Sequence, residues 1–226
     1  MVQPIQKSAI NRLILVAALG YFVDIYDLVL FGMERIASLK DILSKLNLNE
    51  TQLNEQITTV GAQLLSYQML GMLVGGLFWG ILGDKKGRLT VLFGSIIMYS
   101  LANIANGFIT DTFWYAILRF VSGFGLAGEL GAGITLVSES MSKEKRGIGT
   151  TIVASVGLLG AVVAGVTTIL VNNWRASYFI GGGLGLLLLF LRIGVFESGM
   201  FDHMKKDEGI KKGNFLFLFS KPKLFF

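Results

Sequence analysis

Apolar and polar positions follow one another along this chain in long blocks. Six apolar runs of about 20 residues each are separated by short polar or charged segments. The runs lack the strict alternation of membrane β-barrel strands. In lipid every backbone amide needs a partner within the protein, so we predict that each run is a membrane-spanning helix. The predicted spans are about 13–32, 57–83, 89–109, 113–137, 148–171 and 176–195.

The composition agrees with a membrane protein. Of 226 residues, 53% are apolar and only 15% are charged, which is unusual for a soluble domain of this size. We therefore predict an all-α membrane protein whose residues 1–196 form a six-helix bundle. Residues 197–226 are predicted to be a cytoplasmic tail that stops before a seventh span, because Lys221-Pro222-Lys223 interrupts the last apolar stretch.

The basic residues predict the orientation in the bilayer. If the amino end is cytoplasmic, 15 of the 20 Lys and Arg residues fall on the cytoplasmic side, with Arg192 counted among them. This bias predicts a multi-pass protein with both termini inside, in the plasma membrane or a bacterial inner membrane. It also explains the net charge of +5 without a nucleic-acid partner. With no Cys and one His, we expect neither a metal site nor a cofactor.

Four candidates stand out among the ionisable residues inside predicted spans, where each costs about 2.5–3.5 kcal/mol unless it is paired or faces a polar cavity. They are Asp24, Asp27, Arg119 and Glu129. From the helical rise, Asp27 and Arg119 lie at a similar depth, about 8 and 9 Å outward of the midplane, and could pair. Asp24 and Glu129 then have no spare buried cation.

Two interpretations of these charges stay open. The ion pair could do no more than fix how two helices dock. Alternatively, the charges could carry out transport. Burial disfavours the charged form of a carboxyl group, which suits a group that takes up and releases protons. The hypothesis is that Asp24 or Glu129 carries a coupling proton.

Small residues recur four positions apart in several spans, a pattern that lets membrane helices pack closely. Examples are Gly71 with Gly75, Gly123 with Ala127, and Gly157 with Ala161. Gly76 and Gly80 also share a helical face. The second span ends in the charged turn Asp84-Lys85-Lys86-Gly87-Arg88, where Gly87 can take a left-handed conformation.

This turn resembles the loop between the second and third spans of the major facilitator superfamily, with the pattern G-x3-G-D-[KR]-x-G-R. The matching residues are Gly80, Gly83, Asp84, Lys85, Gly87 and Arg88, with two residues between the first two glycines. Further along, Glu139 with Arg146 and Gly147 resembles the E-x6-R-G of sugar porters, and Glu197 falls in a segment similar to P-E-S-P. The resemblance implies a cytoplasmic gating motif of acids and arginines whose ion pairs break when the inner side opens.

The charged spans resemble the same superfamily. Residues 20–28 are similar to the first-span D-x-[FY]-D signature of phosphate:proton and aromatic-acid:proton symporters, and metabolite:proton symporters have a related segment. Residues 119–129 resemble the fourth-span R-x3-G-x-G-x2-G-[DE]. The resemblance implies that Arg119 and Glu129 line a central cavity. Gln63, Tyr67 and Gln68 are further candidates for polar cavity groups, or for helix–helix hydrogen bonds.

A complete carrier of this superfamily has twelve spans in two halves, and the resemblance covers one half. The chain could be a fragment, a half-carrier that dimerises, or a half whose partner is a separate chain. The function we expect is proton-coupled symport of a small metabolite or organic anion. A sugar-type facilitator and a non-transporting fragment are the alternatives. No constellation of an enzyme active site lies at membrane depth, and the third, fifth and sixth spans offer almost none of the polar positions that a channel needs.

Overall fold

A computed structural model describes residues 7–142 and 145–196, and these residues form six α-helices and no β-strand. The helices are α1 (Lys7–Leu43), α2 (Glu50–Lys86), α3 (Arg88–Asn106), α4 (Thr112–Ser140), α5 (Arg146–Val171) and α6 (Trp174–Phe196). The predicted all-helical fold is confirmed. The predicted tail at 197–226 lies outside the described residues.

Most of these helices have the length and composition of membrane spans. Five are long and apolar enough to cross a bilayer, and α3 is a shorter apolar helix. With 19 residues, α3 is about 28 Å long at the usual rise, close to the roughly 30 Å of a hydrocarbon core. The helices are those of an integral, multi-pass membrane protein.

The connection between the first two spans is more helical than the sequence predicted. Helix α1 continues to Leu43 and α2 begins at Glu50, so most of the segment between the predicted spans 13–32 and 57–83 is helical. Leu39 and Ile42 are buried, so packing holds the extended end of α1 in place. The start of α2 is fixed by a capping box, in which the Asn49 side chain accepts a hydrogen bond from the backbone of the third helical residue.

The charged turn between α2 and α3 is also tighter than expected. Helix α2 ends at Lys86 and α3 begins at Arg88, so Gly87 alone connects them. Gly87 has φ of 93° and ψ of 152°. This differs from the predicted left-handed helical conformation, but the positive φ equally favours glycine.

Helices α1 and α4 lie at the centre of the bundle. Helix α2 packs on α4, α5 packs on α1, and α3 and α6 complete the other side. At the α2–α4 contact a Cβ at Gly71, Gly75 or Gly123 would collide with backbone atoms of the facing helix. Gly160 of α5 is equally close to the Phe22 carbonyl of α1. The predicted close packing at the first three glycines is confirmed.

Candidate functional site

The charges predicted at membrane depth are gathered inside the bundle. Asp24, Asp27 and Arg119 are completely buried, and Glu129 is 3% exposed. They lie on α1 and α4, which contact each other. The six helices alone are enough to bury these four residues. None of the four therefore lines an open cleft in the described part of the chain. The resemblance implies that Arg119 and Glu129 line a central cavity; both are buried within the described half, and the cavity role stays a prediction.

Asp27 and Arg119 face each other, as their depths predicted. Arg119 Nη1 lies 3.8 Å from Asp27 Oδ2. The same carboxylate oxygen accepts hydrogen bonds from Ser122 Oγ at 3.2 Å and from Gln68 Nε2 at 3.4 Å. Arg119 Nη2 donates to Asn103 Oδ1 at 2.8 Å. The pair thus connects four helices, α1 to α4, and the prediction that it forms is confirmed.

Aromatic rings enclose the guanidinium of Arg119. Its Cζ lies 5.0 Å from the centroid of the Phe31 ring and 5.1 Å from that of Tyr178, within the range of cation–π attraction. The Tyr178 hydroxyl is 2.7 Å from that of Tyr115, which is 3.0 Å from Ser38 Oγ. A hydrogen-bonded chain therefore continues from the guanidinium's surroundings toward the carboxyl-terminal part of α1.

Glu129 has a cation partner that the sequence analysis missed. Arg192 of α6 is completely buried and donates to both carboxylate oxygens of Glu129, with Nη1 2.7 Å from Oε2. Its guanidinium also donates to the carbonyls of Leu92 at 3.1 Å and Val16 at 3.5 Å. Counting Arg192 as cytoplasmic was wrong, because the residue lies within the predicted span 176–195 and a carboxylate from α4 reaches it there.

A glycine provides the space for this pair. A Cβ at Gly20 of α1 would collide with Glu129 Oε1 and would approach Arg192 Nη2 too closely. Asp24 is one helical turn further along the same face of α1. Side chains on a helix lean toward its amino end. The Asp24 carboxyl therefore leans toward the turn where the ion pair sits.

Asp24 differs from the other acids of the cluster. Both of its carboxyl oxygens are buried without a hydrogen-bond partner among the described residues. The ionisable groups close enough to act on it electrostatically include Asp27 of its own helix, Glu129 of α4 and Arg192 of α6. Tyr99 of α3 also faces this group of charges. We name Asp24, Asp27, Arg119, Glu129 and Arg192 together the central cluster.

The three polar residues of α2 are placed in two different ways. Gln68 is buried and donates to Asp27, as described above. Gln63 and Tyr67 are exposed on the surface of α2, with Tyr67 at 47%. Only Gln68 of the three contacts the central cluster. A second residue that sequence analysis missed is Glu34, which is 6% exposed and accepts a 2.8 Å hydrogen bond from the Ser177 hydroxyl.

The predicted gating motif lies partly within the residues that the structure describes. Arg88 Nη2 lies 3.0 Å from Asp84 Oδ1, in a pair whose side chains are 27% and 45% exposed. Arg146 is exposed and its Nε donates to the Met141 carbonyl at 3.1 Å. Around them, Lys85 and Gly147 are exposed, Gly83 is buried and Gly80 is half-buried. Glu197 and the side chain of Glu139 lie outside the described residues, so the gating motif stays a prediction.

Apolar helices that bury paired and unpaired charges at their centre define this chain as a multi-pass helical membrane protein. Comparisons with known proteins identify its family. The family model for the Major Facilitator Superfamily matches residues 14–225. The chain belongs to this superfamily.

Two curated relatives show the range of similarity. The sialic acid transporter NanX of Escherichia coli (strain K12) is 29% identical over 227 residues, covering 99% of this chain and 51% of its own. The niacin transporter NiaP of Acinetobacter baylyi is 35% identical over 122 residues, covering 53% of this chain and 28% of its own.

The fold has counterparts among solved structures. The proton:xylose symporter XylE of E. coli superposes with a TM-score of 0.73 at 17% identity, covering 87% of this chain and 48% of its own. Like XylE, the curated relatives extend beyond the matched region. The chain spans about half the length of the relatives that match most of it. The six helices described here therefore correspond to half of the superfamily's fold.

Proposed function

We propose that this chain is a six-span half of a secondary active transporter that moves a small metabolite or organic anion together with protons. The observation that carries the proposal is the central cluster, in which ionisable side chains from α1, α4 and α6 are buried with more carboxyls than guanidinium groups. Ionisable residues kept at membrane depth mark ion and proton pathways in transporters. Membership in the superfamily supports the same conclusion.

Within this proposal, Asp24 or Glu129 carries the coupling proton. Protonation removes the charge of a carboxyl group. A protonated carboxyl is therefore buried in a low-dielectric bundle at lower cost than a carboxylate. Asp24 fits this role because it is buried without a hydrogen-bond partner among the described residues. Asp27 and Arg119 fit a supporting role, since each has several polar or charged partners.

The substrate class is proposed from chemistry and relatives together. Relatives are named as transporters of niacin and of sialic acid, and both compounds are organic acids. A carrier that brings protons with an organic anion lowers the charge that crosses the membrane. Small organic acids are therefore the first compounds to test, and sugars are the alternative.

Transport is proposed to need a second six-span half. Alternating access in this superfamily works by rocking one half against the other around a site at the midplane. The second half would come from the same longer chain, from a second copy, or from a separate chain. Both termini of the half are proposed to be cytoplasmic.

Uptake by liposomes tests the proposal. Purified chain is reconstituted at about one chain per vesicle or at several, with an alkaline interior and labelled niacin or sialic acid outside. Accumulation from single-chain vesicles would contradict the need for a second half. If a second copy supplies the second half, substrate should accumulate at several chains per vesicle, and this accumulation should collapse when the pH gradient is removed. Accumulation that does not depend on the pH gradient would instead favour a facilitator.

Paired variants make the coupling test specific. Asp24→Asn should remove the dependence on the pH gradient. Asp41→Asn is the matched control, because it makes the same change on the same helix at a side chain that is 49% exposed. If both variants accumulate substrate as the unmodified chain does, Asp24 does not carry the proton.

A further inference from the structure

Two carboxyls in the central cluster lie beside a single guanidinium. Arg192 donates to both oxygens of Glu129, and Asp24 lies within electrostatic reach of both residues. The other guanidinium of the cluster, Arg119, faces Asp27. Among the described buried residues there is no third cation, so Asp24 and Glu129 compete for Arg192.

Charge balance shows what this competition does. The central cluster holds three carboxyls and two guanidinium groups, all of them at most 3% exposed. A guanidinium does not give up its proton in a protein. A buried charge without a partner is strongly unfavourable, and a buried carboxyl avoids it by becoming neutral. The cluster is therefore balanced when one of its carboxyls holds a proton.

The geometry decides which carboxyl this is. Glu129 accepts two hydrogen bonds from Arg192, and a bidentate arginine–carboxylate pair is the strongest of such contacts. Asp27 accepts from Ser122 and Gln68 in addition to facing Arg119. Asp24 accepts no hydrogen bond from any described residue.

We propose that Arg192 is a positioning residue that keeps Glu129 a carboxylate and thereby makes Asp24 the carboxyl that binds the proton. If Glu129 loses its charge, Arg192 becomes free to pair with Asp24, and the bound proton leaves. The inference rests on the proposed function, because it names which side chains of that site hold the proton. Since the cluster is sealed within six helices, it can be tested on this chain without transport.

Infrared spectroscopy of the purified chain in lipid provides the test, because a protonated carboxyl absorbs apart from a carboxylate. The unmodified chain should show a protonated-carboxyl band that shifts when aspartate carboxyls carry ¹³C. In Asp24→Glu the band should remain but no longer shift with that label. Glu34, which is buried outside the cluster, is present in every sample and cancels in difference spectra.

Substitutions of the pair should change the number of bound protons in a fixed pattern. Glu129→Gln should lose the band although Asp24 is untouched, and Arg192→Gln should gain a second protonated carboxyl. The double variant should match the unmodified chain, and so should Arg192→Lys, which keeps the charge. Circular dichroism tests whether each variant is folded. If a single variant unfolds, the double variant can still be compared with the unmodified chain, because it leaves no buried charge unpaired.

Several results would overturn the inference. These are a band in the unmodified chain that does not respond to labelled aspartate, no band at all, or a band that persists in Glu129→Gln. Any of them would leave the uptake experiment free to succeed with another proton carrier. Conversely, the expected infrared pattern together with uptake that ignores the pH gradient would retain the charge balance and reject proton coupling.

Discussion

Two neighbouring glycines of α2 provide a direct test of how the bundle is held together. At Gly75, a Cβ would collide with the Phe124 carbonyl oxygen of α4 and lie 2.8 Å from Phe124 Cα. At Gly76, nothing lies within 4 Å of the Cβ position. The two residues share the same helix and depth and differ in what they face. We therefore predict opposite effects of Gly75→Ala and Gly76→Ala.

The expected magnitude follows from two contributions. Replacing glycine by alanine inside a helix stabilises it by about 0.5–1 kcal/mol, and both variants receive this gain. Only Gly75→Ala also overpacks the contact, where the colliding atoms are backbone and cannot rotate away. Overpacking typically costs about 1–3 kcal/mol. Because the helix gain cancels between the variants, Gly75→Ala should be less stable than Gly76→Ala by about 1–3 kcal/mol.

Reversible unfolding in mixed micelles measures this difference. The free energy of unfolding is followed by helicity as the proportion of SDS is raised. Gly71→Ala should agree with Gly75→Ala, because a Cβ there meets the Phe120 carbonyl oxygen. Equal stability of Gly75→Ala and Gly76→Ala would refute the close approach of α2 and α4.

Two further predictions use the same assay. Trp79 Nε1 donates to the Phe124 carbonyl at 2.8 Å, so Trp79→Phe should lower the free energy of unfolding by about 1 kcal/mol, and an unchanged value would contradict this bond. Arg175 Nη1 lies 2.6 Å from Asp41 Oδ2, but the side chains are 36% and 49% exposed. Arg175→Gln should therefore cost less than about 1 kcal/mol, and the loss should shrink at high salt; a larger, salt-independent loss would mean that the pair is shielded from solvent.

Part of the site follows from the sequence because depth in a membrane is a one-dimensional quantity. The rise per residue placed Asp27 and Arg119 at one level of the bilayer, and the structure pairs them. The direction in which a side chain points is harder to predict from the sequence. Gln68 reaches Asp27 whereas Gln63 and Tyr67 do not.

The direction in which Gln68 points is only partly given by its neighbours. It lies three positions before Gly71 and seven before Gly75, on the same side of α2. Those glycines pack against α4. Tyr67 lies four and eight positions before the same glycines and is nevertheless 47% exposed, so helical spacing alone does not separate the two residues.

The position of Arg192 could not be obtained by counting charges. The bias in the distribution of cations predicts the orientation of the whole chain, but it says nothing about one cation near the end of a span. Burial of Arg192 depends on Glu129, on the carbonyls of α1 and α3, and on the absence of a side chain at Gly20. These groups lie far apart in the sequence, and only the packed bundle brings them together.

The same contacts constrain any opening of the bundle. Arg192 of α6 bonds to Val16 of α1, Leu92 of α3 and Glu129 of α4, and Asp24 lies within electrostatic reach of the Arg192–Glu129 pair. A proton can reach Asp24 only if this arrangement loosens, because the residue has no exposed surface. Loosening the arrangement weakens the hold of Arg192 on Glu129, and that is the change which frees the guanidinium for Asp24. In the proposed carrier, access to the proton site and the affinity of that site for a proton are therefore controlled by one ion pair.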